Sequence, residues 1–459
     1  MTLHGDDMSK TYADVVMGRA STRRAEDGVP GALSEGAPPA GAAGGGGEDR
    51  PLVITALKSS KPVPEPKAGA LRVAADRCQA LTRDVCGELS EAQRIIKCGR
   101  CPIGQTNPRV KKTGGRAYAS GVQTCGSVWA CSWCSYKIRV KRAADIAFGV
   151  TTHLDTGGGV LHAVFTAPHR DGEDLDEFWR ILSDVWQHVT SGRAWQQFKE
   201  RFGLVGFIRS AEATHGHNGW HPHLHVLLFV DRPMSPVENE HAFYQLRRTL
   251  RDRWCRRMAD KHGRTVSTEH GITVDPVKPD DANGSGSYVT KVGYELAMTN
   301  TKIGRDEGQR TPFAIAHDAA TTGDMRDIRL WREWVQASHR KNSISWSNGL
   351  REHFGLADER SDEELASEDA GGETVVEVDR DLWRKITARR DGTRARFLAA
   401  FESYDHPALA VAAAVRLLDR LGLQVELDEQ ARSSPLLALA PSSNPSNKEI
   451  PAHAEHQAN

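Results

Sequence analysis

The sequence predicts an α+β protein built on an antiparallel sheet, and three observations carry that prediction. Apolar runs at 160–166, 204–213, 221–230 and 271–277 each have strand length, and the middle two are separated by a His-Gly-His-Asn-Gly turn at 215–219. Two intervening segments repeat apolar residues at helical spacing: Phe178, Leu182, Val185, Trp186 and Val189 in one, Phe243, Leu246, Leu250, Trp254 and Met258 in the other. The resulting order, strand-helix-strand-strand-helix-strand, is the ferredoxin-like arrangement, in which both helices cover one sheet face and leave the other for a site. With 459 residues, 39% hydrophobic and 26% charged, the chain has material for several domains with ordinary cores.

Taken in order, residues 1–75 carry an Ala/Gly tract with few aromatics and read as a disordered arm. Residues 76–140 form a basic, cysteine-rich module that runs into a helix reaching about Thr152. Residues 141–356 hold the predicted sheet. Within them 174–201 is largely helix, and Ser235-Pro236-Val237-Glu238 reads as a capping box opening the second helix. That helix carries Arg247, Arg248, Arg251 and Arg256 on its polar face. A Gly/Ser/Asp loop at 280–286 precedes a helix from Ser287 to about Met298, and Trp-rich helix follows at 326–337. Residues 357–380 read as an acidic linker, 381–427 as a small helical region and 428–459 as a disordered tail.

Net charge is zero, but its distribution is uneven. Residues 97–144 contain ten Lys/Arg and no acid, whereas 358–379 contain ten acids and one Arg. A basic run is most often a solvated face, yet it is also what phosphate binding needs, and here it overlaps a cysteine cluster. The first ten residues lack the apolar segment of a signal peptide, and the most apolar stretch, 407–415, is too short to span a bilayer. These features point to a cytoplasmic protein with no membrane partner and to metal-bound cysteines rather than disulfides. Cys98-Gly99-Arg100-Cys101 and Cys131-Ser132-Trp133-Cys134 are two knuckles, and four thiolates from Cys98, Cys101, Cys131 and Cys134 would close a tetrahedral structural zinc site. Cys125 could replace one of them. Cys78 and Cys86 are a weaker pair, and Cys255 reads as a core residue of its helix.

The hairpin is the most chemical stretch. In His221-Pro222-His223-Leu224-His225 alternation puts His223 and His225 on one face; if Glu212 pairs across from His223, then Ser210 faces His225. Two imidazoles and one carboxylate would make a facial triad with open positions for Mn²⁺, Mg²⁺ or Zn²⁺ and a substrate oxygen. A register shift of one residue would move Glu212 to the other face. His215 and His217 read as turn residues, and His221 as at most a neighbour of the ligands.

In Ser287-Tyr288-Val289-Thr290-Lys291-Val292-Gly293-Tyr294-Glu295, helical offsets of three and seven bring Lys291 and Glu295 to the Tyr288 face, while Tyr294 points elsewhere. A phenol is a poor nucleophile at neutral pH, so it needs a polarised target and a nearby cation, which Lys291 could supply. Alone, Tyr-x-x-Lys is usually a packed aromatic beside a solvated lysine.

Together these motifs resemble a rolling-circle replication initiator of the HUH endonuclease superfamily, of the actinobacterial plasmid type. The resemblance rests on 125–134 (CGSVWACSWC), Phe165-Thr166-Ala167-Pro168-His169, Gly219 to His225, and Tyr288-Val289-Thr290-Lys291, in that order, and covers roughly residues 98–355. It implies the HUH nuclease fold, Tyr288 as nucleophile, His223 and His225 as ligands of a divalent metal (Mn²⁺ or Mg²⁺), and an assisting role for Lys291. It further implies plasmid origin DNA, duplex and single-stranded, as partner, with host helicase and DNA polymerase. Pro168 and the single tyrosine on the expected face depart from the pattern, leaving Glu295 as the candidate to activate water in a second cleavage. A conjugative relaxase or HUH transposase would use the same chemistry, although no helicase Walker motif follows. A non-catalytic zinc-ribbon DNA-binding regulator would explain the cysteines but leave the His and Tyr motifs as coincidence.

Overall fold

The computed structural model describes residues 70–89, 92–267, 271–277, 308–427 and 437–441. Tyr288, Lys291 and Glu295 lie outside the described residues, as do the predicted arm up to residue 69 and most of the tail. The chain begins with α1 (Ala70–Cys86) and the short α2 (Gln93–Lys97), followed by hairpin β1 (Arg109–Thr113) and β2 (Arg116–Ser120). The long helix α3 (Ser132–Asp155) leads into β3 (Gly159–Phe165), and α4 (Leu175–Val189) and α5 (Gly192–Phe202) follow. Next come β4 (Leu204–Gly216), β5 (Gly219–Val230), α6 (Glu240–His262) and β6 (Ile272–Pro276), then α7 (Pro312–Thr322), α8 (Met325–Ser338), β7 (Ile344–Trp346) and α9 (Leu350–His353). The last part holds α10 (Asp362–Ser367), β8 (Glu373–Val378), α11 (Arg380–Ala388), α12 (Thr393–Glu402), α13 (Pro407–Arg420), β9 (Val425–Leu427) and β10 (Leu437–Pro441).

One five-stranded sheet has the order β6-β3-β5-β4-β7, with every pairing antiparallel. Its strands alternate as the sequence dictates. Leu224, Val226 and Leu228 point to one side and pack with Phe178, Leu182 and Val185 of α4 and Leu246, Leu250 and Trp254 of α6. Leu227 and Phe229 point to the other side, where Ala143, Ile146 and Val150 of α3 and Phe354 cover them. This face, expected to be open, is therefore closed at one end by α3. Each large apolar side chain so buried contributes about 1.5–3 kcal/mol, which is what holds three helices on one sheet.

The expected helix at 174–201 is two helices. Asp174 caps the first by accepting from Glu177 N–H at 2.8 Å; Thr190 and Ser191 separate it from the second, which opens on Gly192 at φ +75°. The Ser235-Pro236-Val237-Glu238 box does not open α6. Ser235 Oγ instead accepts from Val237 and Glu238 N–H at 3.2 and 2.8 Å, closing a separate turn, and the helix begins at Glu240 after Asn239 at φ 56°. The apolar stripe of α6 is buried as its spacing predicts.

The second sheet has the order β2-β1-β8-β10-β9. Strand β8, inside the stretch expected as a linker, pairs antiparallel with β1, and β10 lies parallel to β8. The short alternation in Glu373-Thr374-Val375-Val376-Glu377-Val378 buries Val376 and Val378 against α11, α12 and α13. The cysteine-rich module and the C-terminal helical region thus share one core.

Gly99 joins these parts. It sits at φ +67°, and a Cβ there would lie 2.3 Å from Arg394 Nη1, whose guanidinium is buried against Asp76 and donates to Gln79 Oε1 at 2.8 Å. Gly99→Ala combines left-handed strain of about 1–2 kcal/mol with disturbance of a buried ion pair, so a loss of roughly 3 kcal/mol or more is expected in urea unfolding. A change within 0.5 kcal/mol would mean that Arg394 has room to move aside.

Candidate metal centres

The hairpin register brings together the three residues singled out from the sequence. Glu212 pairs with His223 and Ser210 with His225, joined by the tight turn between Gly216 and Gly219. Glu212 Oε2 lies 3.2 Å from His223 Nε2 and 2.6 Å from His225 Nε2, with Glu212 only 7% exposed. Burial pushes the Glu212 carboxyl upward, but the charge and hydrogen bonds of His223 and His225 overcome this and hold it well below the usual carboxylate range.

Both imidazoles are oriented from behind. His223 Nδ1 is 3.1 Å from the His221 carbonyl oxygen and donates to it, which fixes the ring with Nε2 turned toward Glu212. His225 Nδ1 is 3.1 Å from His162 Nε2 on β3, the two rings stacked with centroids 5.3 Å apart. Sequence reasoning passed over His162 because it sits inside an apolar strand; its place beside His225 depends on the β3–β5 pairing, in which Val164 faces His225. His221 stacks on His169 at 4.5 Å, and burial pulls its pKa down to about 4, so it is a neutral ring beside the ligands. One ligand atom from each of Glu212, His223 and His225 falls within 4.8 Å of the others, and Ser210 Oγ is buried beside them with no hydrogen-bond partner among the described residues. Two nitrogens and a carboxylate oxygen converging in this way fit a divalent ion with open coordination positions.

The second centre is made of sulfur. Sγ atoms of Cys98, Cys125, Cys131 and Cys134 lie within 4.8 Å of one another, all four residues buried. The sulfur–sulfur distances are 3.7 Å for Cys98–Cys131, 3.5 Å for Cys98–Cys134 and 3.6 Å for Cys125–Cys134. Thiolates about 2.3 Å from a tetrahedral zinc would stand about 3.8 Å apart, so the set fits a closed four-sulfur site. Cys101, expected as a ligand, is outside this group and Cys125 stands in it instead. The turn at Gly99 sends Cys101 back toward the chain, where its N–H donates to the Lys97 carbonyl and its carbonyl accepts from Gln123. Cys131 precedes the first turn of α3 and Cys134 lies within it, where the helix N-terminus favours negative charge. Hydrogen bonds from Cys125, Cys134 and Cys98 hold the Cys131 thiol well below its ordinary pKa. None of the eight cysteines is in a disulfide, and burial pushes Cys78 and Cys86 up to about 12, which makes them inert.

Helix α3 connects the two centres. Eight residues after Cys131 it carries Arg139, fully buried, which interacts electrostatically with Glu212 and lies 5.6 Å over the Trp129 ring. The basic run read as a phosphate surface is largely matched within the chain. Arg109 pairs with Glu377 at 2.8 Å, Lys111 with Asp369 at 2.7 Å, Arg142 with Asp362 at 2.8 Å, and Lys141 with Glu368. The acidic segment therefore lies on the basic one, and the two charge extremes of the sequence cancel in space.

The chain is similar to Protein rep of Streptomyces lividans. The two are 26% identical over 349 residues, covering 60% of this chain and 75% of the other protein. No family model matches, and neither does any solved structure. Among the described residues no helix is long and apolar enough to cross a membrane.

Proposed function

We propose that the protein initiates rolling-circle replication of a plasmid as an HUH-type endonuclease, nicking and rejoining one strand of origin DNA through a 5′-phosphotyrosine. The observation that carries this reading is the convergence of Glu212, His223 and His225 on one sheet face, supported by the similarity to Protein rep. The order β6-β3-β5-β4 is also the strand order of a ferredoxin-like sheet, the scaffold this reading requires.

In the proposed reaction the Tyr288 oxygen attacks the scissile phosphorus. A Tyr–O–P bond forms and the P–O3′ bond breaks, while the phenol proton is lost and the departing 3′ oxygen takes one up. Lys291 steadies the phenolate, and Glu295 is the candidate to activate water in a second cleavage. Glu212, His223 and His225 would hold a divalent ion, which when bound would supply Lewis acidity toward the scissile phosphate. His162 and the His221 carbonyl fix the ring orientations, and the buried flank under α3 keeps water from the back of the site. Because the phosphotyrosine conserves the energy of the phosphodiester, the free 3′-OH can reverse the step without ATP. The sulfur centre is proposed as structural zinc that holds α1, α2 and α3 together.

The test is a nicking assay with labelled single-stranded origin oligonucleotides and Mn²⁺, read as a covalent protein-DNA adduct on a denaturing gel. An adduct that EDTA abolishes is the expected result. Origin binding with no adduct under any divalent ion would favour a non-catalytic DNA-binding regulator and end the nuclease reading.

A further inference from the structure

The sheet face turned away from Glu212 has polar chemistry of its own. Arg209 on β4 alternates with Ser210, so it emerges on the side covered by α4 and α6. It is half-buried, and among the described residues it makes neither a hydrogen bond nor an ion pair. Burial alone, with no acid beside it, pulls its pKa below the ordinary value. An arginine held out of water without a counter-charge costs stability, and such a group persists most readily where a ligand completes it.

A cleft of about 420 Å³ opens at this point, lined by Arg209, Trp179, Arg180 and the turn residues Arg340 and Lys341. The Trp179 indole N–H is buried with no hydrogen-bond acceptor among the described residues. Arg340 is exposed and stands at φ 57°, a left-handed conformation that non-glycine residues adopt at a cost. Asp184 also lines the cleft, but Arg257 holds it through two bonds of 2.9 and 3.1 Å and His262 through one of 2.9 Å. Asp176 is engaged by Lys341 at 2.7 Å and Arg180 at 3.3 Å. The nearby acids are therefore committed, while among the described residues the Arg209 guanidinium and the Trp179 N–H have no acceptor.

We propose that this cleft is an oxyanion site that seats one phosphate group, with Arg209 at its floor and Arg340 and Lys341 at its rim. Guanidinium groups fit phosphate by paired, parallel hydrogen bonds, and a half-buried one does so with little solvent competition. The site lies on the opposite face from Glu212 and does not depend on the nicking reading. The phosphate belongs either to a DNA backbone or to a free nucleotide, and the test separates the two.

The full chain is studied in EDTA, so that no cleavage intervenes, with single-stranded and duplex oligonucleotides and ATP as probes. Arg209→Met and Arg340→Gly are compared with the parent at matched ionic strength. Without ligand, both variants should melt at the parental temperature or above, because one loses an uncompensated charge and the other gains a residue suited to positive φ. With a DNA occupant, Arg209→Met weakens oligonucleotide binding about tenfold and lowers the salt slope by about one, while ATP shifts nothing. With a free nucleotide, ATP raises the melting temperature of the parent but not of Arg209→Met, and DNA affinity is unchanged. The proposal is overturned if neither variant alters binding of any probe. It is equally overturned if Arg209→Met lowers the unliganded melting temperature, since the side chain would then have a structural partner.

Discussion

Tyr288→Phe is expected to eliminate the covalent adduct, a loss of at least about ten-thousandfold, while oligonucleotide affinity stays within twofold of the parent, about 0.4 kcal/mol. On the proposed mechanism only the attacking oxygen is removed, so binding and the Glu212–His223–His225 cluster should be untouched. Tyr294→Phe is the control, since the helix expected from the sequence would turn it to another face. If Tyr294→Phe loses the adduct and Tyr288→Phe keeps it, the nucleophile has been misassigned. Glu212→Gln should behave differently. It preserves shape but removes the charge that draws the two imidazoles together, and it should cost roughly 3–4 kcal/mol of transition-state stabilisation, about 10²–10³ in rate, partly recovered by high Mn²⁺. Recovery by metal marks a ligand; no recovery would mark Glu212 as a proton acceptor instead.

How much of this was legible beforehand depends on the distance over which each residue finds its partner. The Glu212–His223 pairing was readable because a two-residue turn fixes hairpin register and a period of two fixes the face. The apolar stripe of α6 was readable for the analogous helical reason, whereas its start was not, because Ser235 uses its hydroxyl to close a local turn. His162 was hidden, since strand β3 announces only that it is apolar, not which strand lies beside it. Cysteine spacing suggested a four-sulfur centre but favoured Cys101, whereas the turn at Gly99 carries Cys101 away and Cys125 joins the cluster. The acidic stretch at 357–380 looked like solvent-exposed linker on composition, yet its acids face the basic run and its valines complete a sheet.

Cys125→Ser is the second substitution with a large expected effect. It should abolish stoichiometric zinc and destabilise the unit built from both chain ends by roughly 4 kcal/mol or more, because structural zinc supplies about 10–16 kcal/mol in small domains. At that size the melting temperature should fall by about 10 °C. Cys101→Ser, outside the cluster, should retain the metal and melt within about 2 °C of the parent. The reverse pattern, zinc lost from Cys101→Ser and kept in Cys125→Ser, would restore the ligand set suggested by spacing alone. Oligonucleotide cleavage provides a second readout, since α3 carries both Cys134 and the Arg139 that neighbours Glu212.

The interleaving of β1 with β8 also bears on how the chain is made. Arg109 finds Glu377 only after 268 further residues have been joined. At about 5–20 residues per second, hairpin β1–β2 would wait roughly ten seconds to a minute on the ribosome with an unpaired edge. The intervening sheet has nearly all its strands in hand long before that, so synthesis would complete the inserted unit first and the enclosing one last. A premature stop after β7 but before residue 373 should therefore yield a chain whose inserted sheet folds while hairpin β1–β2 remains adhesive, a failure that releases aggregates rather than a shorter working protein.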